Sequence, residues 1–206
     1  MSNEINVIKR NGDKDPLNLE KVHKMVEHAC EGLAGVSASQ VEISSGIQFF
    51  DGIKTSQIQE ILVRSASDLI SLETPNYQYV ASRLLLFDLR KQLNNHYEHH
   101  PFILDHVKKC ADLDVYDKTI IEKYSEEEWK QIDSCIDYGR DYLFSYAGMR
   151  QVVDKYLVQD RSSGELYETP QQMYIMIALT LFQNYPEDTR LDYVRRYYNA
   201  ISKHKI

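Results

Sequence analysis

The chain has few of the features that announce a membrane-borne or metal-dependent protein. Three cysteines in 206 residues, Cys30, Cys110 and Cys135, lie far apart with no C-x-x-C pair. That spacing excludes a disulfide framework and a zinc ribbon, and the three are read as small buried apolar residues. No run approaches the roughly 18 apolar residues that a membrane span needs, and Met1-Ser2-Asn3-Glu4 lacks the basic-then-apolar profile of a signal peptide. No membrane partner and a cytoplasmic location are therefore expected. Neither G-x-x-x-x-G-K nor G-x-G-x-x-G occurs, which removes support for a P-loop or a dinucleotide fold. Positive charge is short too: 24 Lys and Arg against 31 Asp and Glu give a formal charge of -7. That balance argues against a nucleic-acid partner, because phosphate neutralisation needs a concentrated basic surface. Any phosphate site must be a local pocket.

What is present reads as a helical protein with a small β element at its start. Ile5 to Lys9 alternate as a strand and end at Asn11-Gly12, a two-residue hairpin signal, with a short second strand expected near Pro16-Leu17. Leu19, Val22, Val26, Ala29 and Leu33 then repeat at helical spacing behind Asn18 as N-cap, and the run stops near Gly35. Ser37 and Gln40 stand in capping-box order before a second helix through Ile43, Ile47 and Phe50. After the turn at Asp51-Gly52, Thr55 caps a third helix carrying Ile58, Ile61, Leu62, Ala66 and Leu69. Thr74-Pro75 opens a fourth with Val80, Ala81, Leu84, Leu85 and Leu89.

The apolar pattern lapses at Asn94 to Pro101, so the boundary is drawn there: residues 1–95 as one domain and 96–206 as a second. The second reads as helices from Pro101 to about Leu113, from Ser125 with Glu128 as a capping box, and from Ser145 to Lys155. A hairpin follows, with Tyr156-Leu157-Val158 and Glu165-Leu166-Tyr167 as its arms. Thr169-Pro170 opens a helix to Phe182, and Pro186 precedes a last one ending near Ser202.

Polyphosphate recognition needs cations and backbone amides converging on one point, and helix N-termini supply the amides. Lys9 and Arg10 close the first strand, Lys21 lies in the first turn of the first helix, and Lys91 lies late in the fourth. Thr55 offers a hydroxyl and amides at the start of the third. Asp15 and Asn18 carry groups suited to ribose or base edges. Any one of these lysines alone reads as a solvated surface residue; their joint order and spacing carry the argument.

Val7-Ile8-Lys9-Arg10-Asn11-Gly12, Asn18-Leu19-Glu20-Lys21, Gly52-Ile53-Lys54-Thr55 and Arg90-Lys91 together resemble an ATP-cone, the nucleotide-sensing regulatory domain at the start of ribonucleotide reductase large subunits. The resemblance implies a four-helix bundle capped by a small β-hairpin sheet. It implies ATP or dATP as allosteric effector, with Mg2+, and effector contacts at Lys9, Arg10, Asp15, Leu17, Asn18, Lys21, Thr55 and Lys91. At Gln59 bacterial relatives carry a histidine close to the ribose and base, so this position is added to the effector set with the expectation that dATP is told from ATP less sharply.

Phe144-Ser145-Tyr146, Lys155-Tyr156-Leu157-Val158, Gly164-Glu165-Leu166-Tyr167-Glu168-Thr169-Pro170 and Tyr197-Tyr198-Asn199-Ala200-Ile201-Ser202 resemble the helical segment before the catalytic barrel of the class Ia large subunit. The resemblance stops short of the barrel, and with it of the catalytic cysteines. It implies no catalytic residue and no redox cofactor in this stretch, a split or truncated subunit, and two protein partners: the remainder of the large subunit and the small radical-generating subunit. The other readings are a helical interaction module, or a cone-bearing regulator without reductase activity.

His96, His99 and His100 with His106 suggest a metal site until Pro101 interrupts the helical face, so they are read as a partly exposed linker. Asp112, Asp114 and Asp117 lack the glycine turn and terminal Glu of a calcium loop. No metal ligand is assigned. The 15 tyrosines are read as structural, most being at core spacing or in hairpins.

Overall fold

The computed structural model describes residues 5–46 and 48–205. Helices dominate, and the chain divides into two compact units. One comprises the residues up to Asp88 with Phe144–Arg150, and the other Leu89–Leu143 with the residues from Gln151 onward.

In the first unit, β1 (Asn6–Ile8) pairs antiparallel with β2 (Lys14–Pro16), and β3 (Ile53–Lys54) joins the other edge of β1 in parallel. The connection between β1 and β2 differs from the two-residue turn read from Asn11-Gly12. Lys9 N–H donates to Asp13 O at 2.8 Å and Gly12 N–H to Lys9 O at 3.0 Å, which leaves a three-residue loop. Gly12 has φ +90° whereas Asn11 stays at negative φ. A type I′ turn needs positive φ at both central residues; a turn closed by one left-handed glycine needs it only there. β3 was not legible in advance, since two residues carry no alternation and the pairing partner is 46 positions away at Val7↔Ile53.

Helix α1 (Leu19–Cys30) starts where Asn18 accepts the Lys21 amide at 2.9 Å. It buries Met25, Val26 and Ala29, while Leu19 is exposed. Helix α2 (Ala38–Gly46) ends earlier than the apolar pattern suggested, with Ile43 and Phe50 exposed and Ile47 outside the described residues. The capping box expected of Ser37 and Gln40 does not form. The Tyr77 hydroxyl instead donates to Gln40 Oε1 at 2.5 Å and accepts from the Ser37 amide at 2.9 Å, a long-range contact that displaces the local one.

Helix α3 (Thr55–Asp68) buries Ile58, Leu62 and Ala66. Its cap is Lys54, one residue before Thr55, and the Lys54 amide donates to Gln57 Oε1 at 3.0 Å. Helix α4 (Tyr77–Asn94) begins two residues after Thr74-Pro75, which form the preceding turn: Thr74 Oγ1 donates to Leu69 O at 2.7 Å. Val80, Ala81, Leu84 and Leu89 are buried as read; Leu86 and Phe87 join them. Arg83 fastens α4 to the end of α1 by donating to Glu31 O at 2.6 Å.

The second unit holds α5 (Ile103–Asp112), α6 (Thr119–Lys123), α7 (Glu126–Cys135), a short 3-10 helix (Tyr138–Leu143), α9 (Pro170–Phe182) and α10 (Glu187–Ile201); α8 (Tyr146–Lys155) runs from the first unit into it. The Ser125–Glu128 capping box is present, with Ser125 N–H donating to Glu128 Oε2 at 2.8 Å and Glu128 N–H to Ser125 Oγ at 3.3 Å. Three carboxylates in the first turn of α7 complement the helix dipole. Trp129, Ile132, Ile103, Ile175, Leu179 and Tyr198 form the core. The expected second hairpin is reduced to one antiparallel bridge, Gln159↔Leu166, because Asp160 turns the chain with its own carboxylate: Oδ1 accepts from Ser162 N–H at 2.7 Å. Cys110 is buried as read, while Cys30 and Cys135 are only half-buried at the ends of α1 and α7.

Arg90 and Asp141 meet inside the second unit, their side chains 4% and 0% exposed, at 2.9 Å. Gln171 Nε2 donates to Asp141 Oδ1 at 2.8 Å, and Tyr198 OH donates to Gln171 Oε1 at 2.7 Å. A buried charge has to be paired and hydrogen-bonded to be tolerated, and this chain of bonds meets that demand for the carboxylate.

Candidate functional site

The small sheet sets the geometry of the predicted effector residues in the first unit. Parallel pairing of Ile8 with Lys54 carries the next positions, Lys9 and Thr55, to the same end of the sheet. Thr55 is the first residue of α3, so the strand cation comes to a helix end whose free amides favour an anion. At the other end of β1, the Leu17 amide donates to Ile5 O at 2.8 Å, and Asn18 and Lys21 follow on the first turn of α1. Three residues of strand separate these ends by about 10 Å.

Two of the predicted cations are held by acids. Lys9 Nζ pairs with Asp15 Oδ2, both side chains about half exposed; the Asp15 carboxylate raises the ammonium pKa above its ordinary value, through the hydrogen bond first and the charge second. Arg10 Nη2 pairs with Asp88 Oδ1 on α4. Asp88 was not among the predicted residues, and nothing local marked it. Lys21 is exposed and makes no ion pair among the described residues. Leu17 and Thr55 are half-buried.

Gln59 departs from the expectation. It lies one turn after Thr55, but its side chain is 3% exposed and its Nε2 donates to Leu84 O on α4 at 2.8 Å. The amide nitrogen is committed to the bundle. Gln59 also borders a pocket of about 280 Å³ with Asp88, Arg64, Ser67, Tyr146 and Arg150, all in the first unit. Arg64 and Arg150 add cations that sequence reading passed over, because each stands on a helix face with no motif around it.

Lys91 lies in the last turn of α4, within the second unit, and its ammonium sits 5.1 Å from the centre of the Tyr97 ring. Arg90, its neighbour in the Arg90-Lys91 motif, is the buried partner of Asp141. Of the linker histidines His96 and His99 are exposed, while His100 is half-buried and stacks on Tyr138 at 3.6 Å between ring centres, and burial lowers its pKa to about 3.

Comparisons with known proteins divide the chain in the same order. Residues 5–92 match the ATP cone domain, and residues 142–206 match the ribonucleotide reductase all-alpha domain. All 206 residues align at 50% identity with the Escherichia coli protein named ribonucleoside-diphosphate reductase 1 subunit alpha, and at 47% with the Haemophilus influenzae alpha subunit. The alpha subunit of phage T4 is 40% identical over 204 residues, 98% of this chain. The chain spans 27% of the length of the two bacterial relatives and 26% of the phage one. Among the described residues no helix is long and apolar enough to cross a membrane. The chain thus carries an ATP-cone, the allosteric nucleotide-binding domain, and a ribonucleotide reductase all-alpha domain, and it corresponds over its whole length to the N-terminal region of ribonucleoside-diphosphate reductase alpha subunits.

Proposed function

We propose that the chain binds an adenine nucleotide on its cone and acts as the regulatory portion of an aerobic ribonucleoside-diphosphate reductase. The observation that carries this is the joint one of an ATP cone match over residues 5–92 and a cation, Lys9, registered beside the N-terminus of α3. The polyphosphate, with its Mg2+, is taken by Lys9, Arg10, Lys21 and the Thr55 end of α3. Asp15, Leu17 and Asn18 hold the ribose and base. Binding is an exchange of partners: phosphate oxygens replace Asp15 on Lys9 and Asp88 on Arg10.

ATP favours the active assembly, and dATP favours an inhibited one in which the cone meets the small radical-generating subunit. The remainder of the large subunit supplies the barrel and the thiol chemistry in the cytoplasm. Such coupling is reciprocal, so subunit assembly changes nucleotide affinity by the factor that nucleotide changes assembly. Gln59, 3% exposed and turned to Leu84 O, is packed into the bundle and is no dedicated partner for a 2′-hydroxyl, and affinities for ATP and dATP are accordingly close.

A thermal-shift comparison tests the reading. A ligand that binds only the folded chain stabilises it by about 2.7 kcal/mol at a hundredfold excess over Kd. ATP and dATP raise the melting temperature of the first unit, and CTP does not. Equal shifts with all three nucleotides, or none, would overturn it.

A further inference from the structure

We propose that His23 is a positioning residue for the nucleotide: carrying a proton on each ring nitrogen, it clamps α1, which bears Asn18 and Lys21, to α2, and the first unit holds its effector more tightly in that state than after the proton leaves. This inference rests on the reading of the first unit as a nucleotide-binding cone.

The protonation state follows from the partners of the ring. His23 Nδ1 lies 2.7 Å from Glu42 Oε1 on α2, and His23 Nε2 lies 3.2 Å from Glu27 Oε1, one turn further along α1. A carboxylate only accepts hydrogen bonds, and a neutral imidazole has a single N–H to donate. Both contacts are hydrogen bonds at once only when the ring is an imidazolium. It then ties a carboxylate of its own helix to one of the neighbouring helix.

The charges around the ring act in the same direction. The bond to Glu42 first and the Glu42 charge second raise the His23 pKa above 6.5; desolvation opposes them, and Glu27 adds to the rise. Glu42 is the one charged residue of α2. On α1, Glu20 and Lys24 pair with each other at 2.8 Å, and from α4 Arg83 reaches the far end of α1, donating to Ala29 O and Glu31 O. The His23 side chain is 46% exposed, so it exchanges its proton directly with solvent.

What the clamp positions follows from how α1 is held. Its buried side chains, Met25, Val26 and Ala29, all lie in its second half. The first half, with Lys21 and the cap Asn18, starts at an exposed Leu19 and buries no side chain. His23 to Glu42 is a cross-helix bond in that half. Because the pKa is raised in the folded chain, the contribution of the clamp is fully present below pH 6.5 and is lost as pH rises through the raised value.

Calorimetric titration of ATP with Mg2+ at about pH 6 and about pH 9 into the wild-type chain, His23→Gln and Glu42→Gln tests the inference. Both variants bind ATP about two- to fivefold more weakly than wild type at the lower pH, the range of a partly exposed ion pair, and as tightly as wild type at the higher pH. Taking the ratio of variant to wild type at each pH cancels the ionisation of ATP itself. A ratio that is the same at both pH values, whether or not it equals one, overturns the inference. The NMR ring resonance missing from His23→Gln supplies a second readout: its titration midpoint lies above 6.5 in the wild type and falls back toward 6.5 in Glu42→Gln. A wild-type midpoint at or below 6.5 also overturns the inference. ATP binding with an unchanging ratio sinks the clamp alone, while absence of ATP binding at both pH values sinks the nucleotide reading and the clamp with it.

Discussion

Arg10 and Asp88, 78 positions apart, form an ion pair in the first unit in which only 14% of the Asp88 side chain is exposed. The pair occupies a guanidinium that the proposed site needs for phosphate. Asp88→Asn removes the competing charge and tightens ATP binding about two- to fivefold, the range expected from a partly exposed pair. Arg10→Ala weakens it about tenfold, as loss of a charge-assisted bond requires. Calorimetric titration reads both; an Asp88→Asn chain that binds ATP more weakly than wild type would contradict the exchange.

Gln59 gives a prediction about selectivity. With its Nε2 held by Leu84 O at 2.8 Å, the dissociation constants for ATP and dATP lie within about threefold of each other, since discrimination of one hydroxyl needs a dedicated partner. Competition of the two nucleotides for one labelled analogue measures the ratio. A tenfold preference either way would show that another residue reads the ribose.

The buried pair Arg90–Asp141 predicts a large stability effect. Burial raises the Asp141 pKa, with Arg90 acting in the opposite direction. Asp141→Ala leaves the guanidinium uncompensated and costs about 3–5 kcal/mol; Asp141→Asn, which keeps the bond to Gln171, costs less. Urea denaturation followed by Trp129 fluorescence measures both.

His106 predicts a pH dependence. It is 6% exposed, with Cys110 Sγ 3.7 Å and Tyr116 OH 3.4 Å from Nε2. Burial first, and the Lys109 charge second, lower its pKa from 6.5 to about 4. The unfolded chain therefore binds the proton more readily. The stability is fully present above pH 6.5 and is lost as pH falls from there to about 4, at about 1.4 kcal/mol per unit. His106→Gln flattens that slope. The comparison must be between variant and wild type, because Glu168, whose pKa is raised by burial, contributes with the opposite sign.

What could be read in advance was what is written locally. Asn18 and the Ser125–Glu128 box announce their helices because a cap is a bond across three residues. Lys9, Lys21 and Thr55 enter the proposed site on the strength of an ordered motif. Hidden were the features made by distant partners. β3 exists only as the parallel neighbour of β1, and Tyr77 reaches back 37 residues to take Gln40 out of its expected box. Asp88 meets Arg10 only because α4 passes it, 78 positions along the chain. Gln59 and Arg90 illustrate a further limit: spacing places a residue on a helix, whereas packing decides whether it faces a ligand or the core.

The most direct measurement is calorimetric titration of ATP into the wild-type chain and into a Lys9→Ala, Lys21→Ala double variant. Saturable binding is predicted for the wild type, weakened at least about tenfold in the variant, the loss expected when two charge-assisted phosphate contacts go. No saturable binding by the wild type, or equal binding by the variant, would contradict the account.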